Sequence, residues 1–127
     1  MAVSGSQPIL VADDSATILA MVSSRLERAG FDVVTATRGD EALALVKQLR
    51  PRAALLDVEM PGLDGMEVAR SIRSDPELAK TLIVLLTARD RPEDVEAGIA
   101  AGADAYLTKP FSPQELEATI DKLLGRR

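Results

Sequence analysis

Apolar residues in this chain fall into two kinds of block that alternate from one end to the other. Ile9-Leu10-Val11-Ala12, Ala53-Ala54-Leu55-Leu56 and Thr81-Leu82-Ile83-Val84-Leu85-Leu86 are short continuous runs, the pattern of strands buried on both faces. Phe31 to Ala36 alternates more and reads as a strand nearer a sheet edge, and Ala105-Tyr106-Leu107-Thr108 reads as a fifth strand. Between the runs the apolar spacing lengthens to three and four residues, which predicts helices. Ile18, Leu19, Val22 and Leu26 form the first stripe, which stops at Ala29-Gly30, where glycine can take the left-handed cap. Gly39 to Leu49 predicts a second helix facing inward through Ala42, Leu45, Val46 and Leu49, closed by Pro51. A third turns Val68, Ala69 and Ile72 inward, and Val95 and Ile99 mark a weaker, alanine-rich fourth ended by Gly102. In Ser112-Pro113-Gln114-Glu115 the serine is an N-cap, proline suits the first helical position and Glu115 completes a capping box.

Five strands alternating with five helices in short units require parallel strands joined by right-handed crossovers. The fold class is therefore α/β, a three-layer αβα sandwich around a five-stranded parallel sheet. Its weakest elements are the second strand and the fourth helix. A length of 127 residues makes one domain with a real core. No internal repeat or linker interrupts the series, and no apolar run approaches the roughly 20 residues needed to span a bilayer. Residues 1–7 lack the basic segment and apolar block of a signal peptide and read as a flexible tail.

Composition narrows the chemistry. The chain has no cysteine, hence no disulfide framework and no thiolate nucleophile or ligand, which suits the reducing cytoplasm expected for it. It also has no histidine, which removes the usual neutral-pH base and transition-metal ligand. A net charge of -5 without a Lys/Arg cluster argues against direct nucleic-acid or membrane binding.

The run Leu55-Leu56-Asp57 ends in a carboxylate, and Met60-Pro61-Gly62-Leu63-Asp64-Gly65 then turns the chain into a helix. Parallel strands present their carboxyl ends on one edge, where α/β sheets bind ligands. Asp13, Asp14, Asp57, Thr87 and Lys109 are the residues that converge there. Three carboxylates in a partly desolvated crevice repel and invite a cation. All-oxygen ligation selects a hard ion, Mg²⁺ before the larger Ca²⁺, with Mn²⁺ as the alternative. Carboxylate nucleophile, divalent ion, ammonium and hydroxyl together describe a phosphoryl-accepting site. Each residue also has a plainer role. Asp57 can polarise a strand end, Asp13-Asp14-Ser15 can cap a helix, Thr87 can serve as a β-former, Lys109 as a solvated loop lysine and Tyr106 as an amphipathic edge residue.

From Ile9 to about Leu124 the sequence resembles the response-regulator receiver family, the CheY-like domain of bacterial two-component signalling. The resemblance rests on Asp13-Asp14, on Asp57 with Met60-Pro61 and Asp64-Gly65, on Thr87-Ala88, and on Tyr106-Leu107-Thr108-Lys109-Pro110-Phe111. It implies a flavodoxin-like (βα)5 fold with strand order 2-1-3-4-5, a receiver domain over 8–124, and 125–127 as a terminus or the start of a linker. It further implies that Asp57 accepts a phosphoryl group from a sensor histidine kinase or a histidine phosphotransfer protein. Asp14, Asp57 and the Glu59 backbone carbonyl would hold Mg²⁺, with Asp13 acting through water. Thr87, the Ala88 N–H and Lys109 would hold phosphoryl oxygens, and Lys109-Pro110 would be a cis peptide. Tyr106 would follow Thr87 in a population shift, read out on the fourth helix, fifth strand and fifth helix.

Glu59 and Arg89 flank the site at positions that vary within the family, and we expect this pair to tune the rate by screening the acyl phosphate from water. Ala105 and Thr119 stand where DNA-binding relatives place an acid and an arginine that support a symmetric dimer, so a monomer is expected. Downstream stands either an unknown protein target or a tethered output domain. The alternative to a stand-alone switch is the receiver piece of a larger regulator with an enzymatic or DNA-binding output. A phosphatase would want aspartate, the shorter acid, at Glu59, and a flavin protein would want a glycine-rich phosphate loop where Asp13-Asp14 stands. Apart from its own phosphorylation and dephosphorylation at Asp57, the chain is not expected to be an enzyme.

Overall fold

The structure is a computed structural model that describes residues 7–125. The tail expected over residues 1–7 lies outside it except for Gln7, and the expected 125–127 segment lies outside it beyond Gly125. Five parallel strands, β1 (Ile9–Ala12), β2 (Val33–Ala36), β3 (Ala53–Asp57), β4 (Leu82–Thr87) and β5 (Ala105–Thr108), form one sheet in the order β2-β1-β3-β4-β5. The helices are α1 (Ala16–Arg28), α2 (Gly39–Leu49), α3 (Gly65–Ser74), α4 (Pro92–Ala100) and α5 (Pro113–Leu124). The α/β class and the 2-1-3-4-5 order are those expected.

Alternation along the central strands divides the core in two, because successive side chains leave opposite faces of a strand. Leu10, Ala12, Ala54, Leu56, Ile83 and Leu85 pack with Val46 of α2 and Val68, Ala69 and Ile72 of α3. Ile9, Val11, Leu55, Val84 and Leu86 pack with Val22 and Leu26 of α1 and Leu116 and Ile120 of α5. Burial on both faces is the reason these strands appear in the sequence as unbroken apolar runs.

Several local expectations shift. β2 begins at Val33 instead of Phe31, whose N–H is taken by the Leu26 carbonyl at 3.1 Å as the chain leaves α1. β4 begins at Leu82, while Thr81 is buried and donates its hydroxyl to the Pro51 carbonyl at 3.0 Å. A single 3₁₀ turn, Pro76–Leu78, precedes it, a feature the apolar pattern does not predict. Ile99, one of the two residues that mark α4 in the apolar pattern, is 53% exposed. Gly98 is the buried residue of that helix, and a Cβ there would stand 3.1 Å from Leu85 and 3.3 Å from the Tyr106 ring. α5 starts as expected: Glu115 N–H donates to Ser112 Oγ at 3.0 Å and Ser112 N–H to Glu115 Oε1 at 2.9 Å. No helix among the described residues is long and apolar enough to cross a membrane.

Candidate functional site

The strand order decides which chain segments meet. β1 lies beside β3, with Ala12 in register with Leu56, so the residues just beyond each, Asp13 and Asp57, emerge side by side. β4 flanks β3 on the other side with Asp57 opposite Leu86, which places Thr87 one position further along the same edge. Asp13 is fully buried and Asp57 is 5% exposed, whereas Asp14 faces solvent. Carboxylate oxygens of Asp13, Asp14 and Asp57 all lie within 4.8 Å of one another.

Lys109 follows β5, and its backbone N–H donates to the Thr87 carbonyl at 2.7 Å. Its bond to Pro110 is cis. The ammonium donates to Asp13 Oδ2 at 2.8 Å and stands 3.5 Å from Asp57 Oδ1. Burial pulls the Lys109 pKa down, but the Asp13 hydrogen bond and the charges of both aspartates outweigh it, so the net shift is upward. The other Asp13 oxygen accepts the Ser15 N–H at 2.9 Å, the bond that turns the chain into α1. Asp57 is left with weaker support: the Lys109 contact and a long 3.3 Å bond from the Glu59 N–H. Burial, and then the Asp13 charge, push its pKa up to about 6.

A second cluster, solvent-exposed at Glu59 and Arg89, borders the mouth of the crevice. Arg89 donates to Glu59 Oε2 at 2.9 Å, and this hydrogen bond raises the Arg89 pKa further. The Arg89 N–H donates to Thr87 Oγ1 at 3.1 Å, and the Arg89 carbonyl accepts the Tyr106 hydroxyl at 2.9 Å. Thr87 is buried and Ala88 is exposed. Burial and then Asp94 raise the Tyr106 pKa against the opposing effects of Arg89 and Thr87.

Asp13, Asp14, Asp57, Glu59, Thr87, Arg89, Tyr106 and Lys109 are thus gathered at this edge. The geometry adds two features that no local pattern carries. Lys109 is tied more closely to Asp13 than to Asp57. The backbone of Arg89 bonds both Thr87 and Tyr106. A largely buried acidic trio beside a fixed ammonium, with no imidazole or thiol, is a donor set for a hard divalent cation.

A carboxylate cluster at the carboxyl edge of a doubly wound sheet, faced by a lysine that follows the last strand, is the arrangement expected of a receiver, and residues 9–121 match the response regulator receiver domain family. The chain belongs to that family. It is 41% identical over 121 residues to the alkaline phosphatase synthesis transcriptional regulatory protein PhoP of Bacillus subtilis (strain 168), covering 95% of this chain and 50% of PhoP. It is 42% identical over 120 residues to the DNA-binding response regulator MtrA of Mycolicibacterium paratuberculosis, covering 94% of this chain and 52% of MtrA. The chain therefore spans about half the length of these curated relatives. Among solved structures, the Vibrio cholerae chemotaxis protein CheY4 superposes with a TM-score of 0.87 at 37% identity, covering 94% of this chain and 99% of that one.

Proposed function

We propose that this receiver is a phosphorylation-gated switch in which Asp57 takes a phosphoryl group from a phosphohistidine on a partner kinase or phosphotransfer protein. The observation that carries the reading is the meeting of three carboxylates within 4.8 Å, with an ammonium 3.5 Å from the central one. A carboxylate oxygen of Asp57 attacks phosphorus, the P–N bond breaks, and the imidazole leaves with its electron pair. Later hydrolysis returns the carboxylate and inorganic phosphate. A pKa of about 6 leaves Asp57 ionised at neutral pH yet more basic than an ordinary aspartate, which suits a nucleophile.

Asp14, Asp57 and the Glu59 carbonyl would hold Mg²⁺, with Asp13 acting through water. The ion supplies charge neutralisation for the phosphoryl oxygens. Lys109 is within reach of a phosphoryl group on Asp57 and would exchange its longer contact for an ion pair with it. Thr87 and the Ala88 N–H would hold the remaining oxygens. Movement of Thr87 toward them releases the Arg89 N–H, and the Arg89 carbonyl is what anchors Tyr106. The aromatic thereby follows the hydroxyl through the peptide groups of one residue, altering the face made by α4, β5 and α5.

Incubation with Mg²⁺ and a small acyl-phosphate donor tests this by intact mass. One phosphoryl group is expected on the parent and none on Asp57→Asn or with chelator. An unmodified parent, or modification that persists in Asp57→Asn, refutes it. A second reading, a receiver tethered to an output domain, is supported by the half-length match to PhoP and MtrA. The natural reading frame beyond Arg127 decides between the two.

A further inference from the structure

We infer that Gly39, the first residue of α2, is a positioning residue for the Asp57 site, because it lets the α2 backbone lie directly against the loop that follows Asp57. The inference rests on reading Asp57 as an Mg²⁺-dependent phosphoryl acceptor.

A Cβ on Gly39 would stand 1.7 Å from the Leu63 carbonyl oxygen and 2.5 Å from its carbon. Gly39 is not in the left-handed region, so the contact, and not conformational freedom, is what requires glycine. Its N–H donates to the Pro61 carbonyl at 3.0 Å. The intervening Gly62 lies on the same turn, where a Cβ would meet Asp40 Oδ1 at 2.5 Å and Arg38 Nη2 at 3.1 Å. Pro61, Gly62 and Leu63 therefore all rest on the start of α2.

The loop is held at its other end as well. Gly65 N–H donates to the Val58 carbonyl at 2.9 Å, and a Cβ on Gly65 would stand 2.4 Å from the Asp57 carbonyl oxygen. Glu59 and Met60 lie between these two clamps. Glu59 contributes the N–H that bonds Asp57 Oδ1, the side chain that meets Arg89, and the carbonyl assigned above to the ion. Backbone packed on backbone has no rotamer with which to yield. An atom added at Gly39 displaces Pro61–Leu63, and the displacement reaches Glu59.

The test is an Mg²⁺ titration followed by backbone amide NMR on the parent, Gly39→Ala and Gly30→Ala. Gly30 is the control: it has φ +100° and nothing within 4 Å of the point where a Cβ would stand, so Gly30→Ala destabilises through backbone conformation alone. We expect Gly30→Ala to lower Tm by a few degrees and leave the Mg²⁺ affinity at the parental value. Gly39→Ala is expected to weaken Mg²⁺ binding about tenfold, within the range seen when groups supporting metal ligands are changed. It should also move the metal-free amide signals of residues 59–63. Either readout at the parental value overturns the inference. If the parent itself neither binds Mg²⁺ nor gains a phosphoryl group, the proposed function falls, and the metal-free amides alone still decide the role of Gly39. Should Gly39→Ala fail to fold, the Arg38→Ala/Asp40→Ala double variant withdraws the side chains beneath Gly62 without adding an atom. It is expected to weaken Mg²⁺ binding with the same amides shifted, and parental values there overturn the inference.

Discussion

The strand-loop-helix unit that carries Asp57 and the one that follows it are built from the same parts and held very differently. α3 buries Gly65, Val68, Ala69 and Ile72 against the sheet, and its start is closed by a reciprocal box: Glu67 N–H to Asp64 Oδ1 at 2.8 Å and Asp64 N–H to Glu67 Oε1 at 2.9 Å. Near its end Arg73 donates to the carbonyls of Thr81 and Gly102 and to Asp104. α4 buries only Gly98, its N-cap residue Arg91 makes no side-chain capping bond, and Asp94 takes the Arg91 N–H at a long 3.3 Å. The Arg73 bond to Gly102 secures the segment just beyond its far end. Groups that must hold a reacting phosphoryl need fixed positions, whereas a surface whose populations shift on a signal needs few buried contacts to break. The first unit therefore fits the chemistry proposed for Asp57, and the second fits the movement proposed for the α4, β5 and α5 face.

Core truncation gives the widest separation between the two. Ile72→Ala is expected to lose about 2–4 kcal/mol in urea unfolding, because it opens a cavity in a fully buried site. Ile99→Ala, half exposed, should stay within about 0.5 kcal/mol of the parent. Equal losses would break the contrast.

Titration of Asp57 comes next in size. Its pKa is raised from 3.8 to about 6 on folding, so the folded state holds the proton more tightly than the unfolded chain. The ionised carboxylate therefore destabilises the fold. The penalty is absent below the unfolded pKa, grows between the two values and is complete above the folded one. In chelator at pH 7.5, Asp57→Asn should be more stable than the parent by about 1–2 kcal/mol, the shift being discounted for solvent at the open crevice. At pH 3.5 the difference should vanish. Thermal melts across that range check the sign, and a less stable Asp57→Asn at pH 7.5 would show that the carboxylate is not under strain.

Smallest is the exposed pair at the mouth. An exposed ion pair contributes up to about 1 kcal/mol, so Arg89→Ala and Glu59→Ala should each shorten the life of phospho-Asp57 by roughly two- to fivefold. Loss of label at the parental rate removes the pair from that role.

Much of this is legible in the residues alone. Burial on both faces leaves β1, β3 and β4 as unbroken apolar runs, and the polar residues that end them mark the functional edge. The Ser112 box shows in its spacing, while the equivalent Asp64-x-x-Glu67 is masked by the turn residues that run straight into it. Ile99 marks α4 by its spacing but does not supply the buried contact of that helix. Here a glycine takes the contact with Leu85 and Tyr106, and close approach of backbone to side chain leaves no signature in an apolar pattern.

Local pattern, acting over a few residues, was enough to specify the elements and to put an acid, a hydroxyl or a lysine at the end of each strand. Which of those groups touch was decided by the order of strands in the sheet, which brings Lys109 onto Asp13 across 96 positions of chain and leaves Asp57 with the weaker partner. Its raised pKa follows from that arrangement, because Coulomb energy and desolvation depend on distance and enclosure in space, and neither quantity is written in the spacing of residues along a chain.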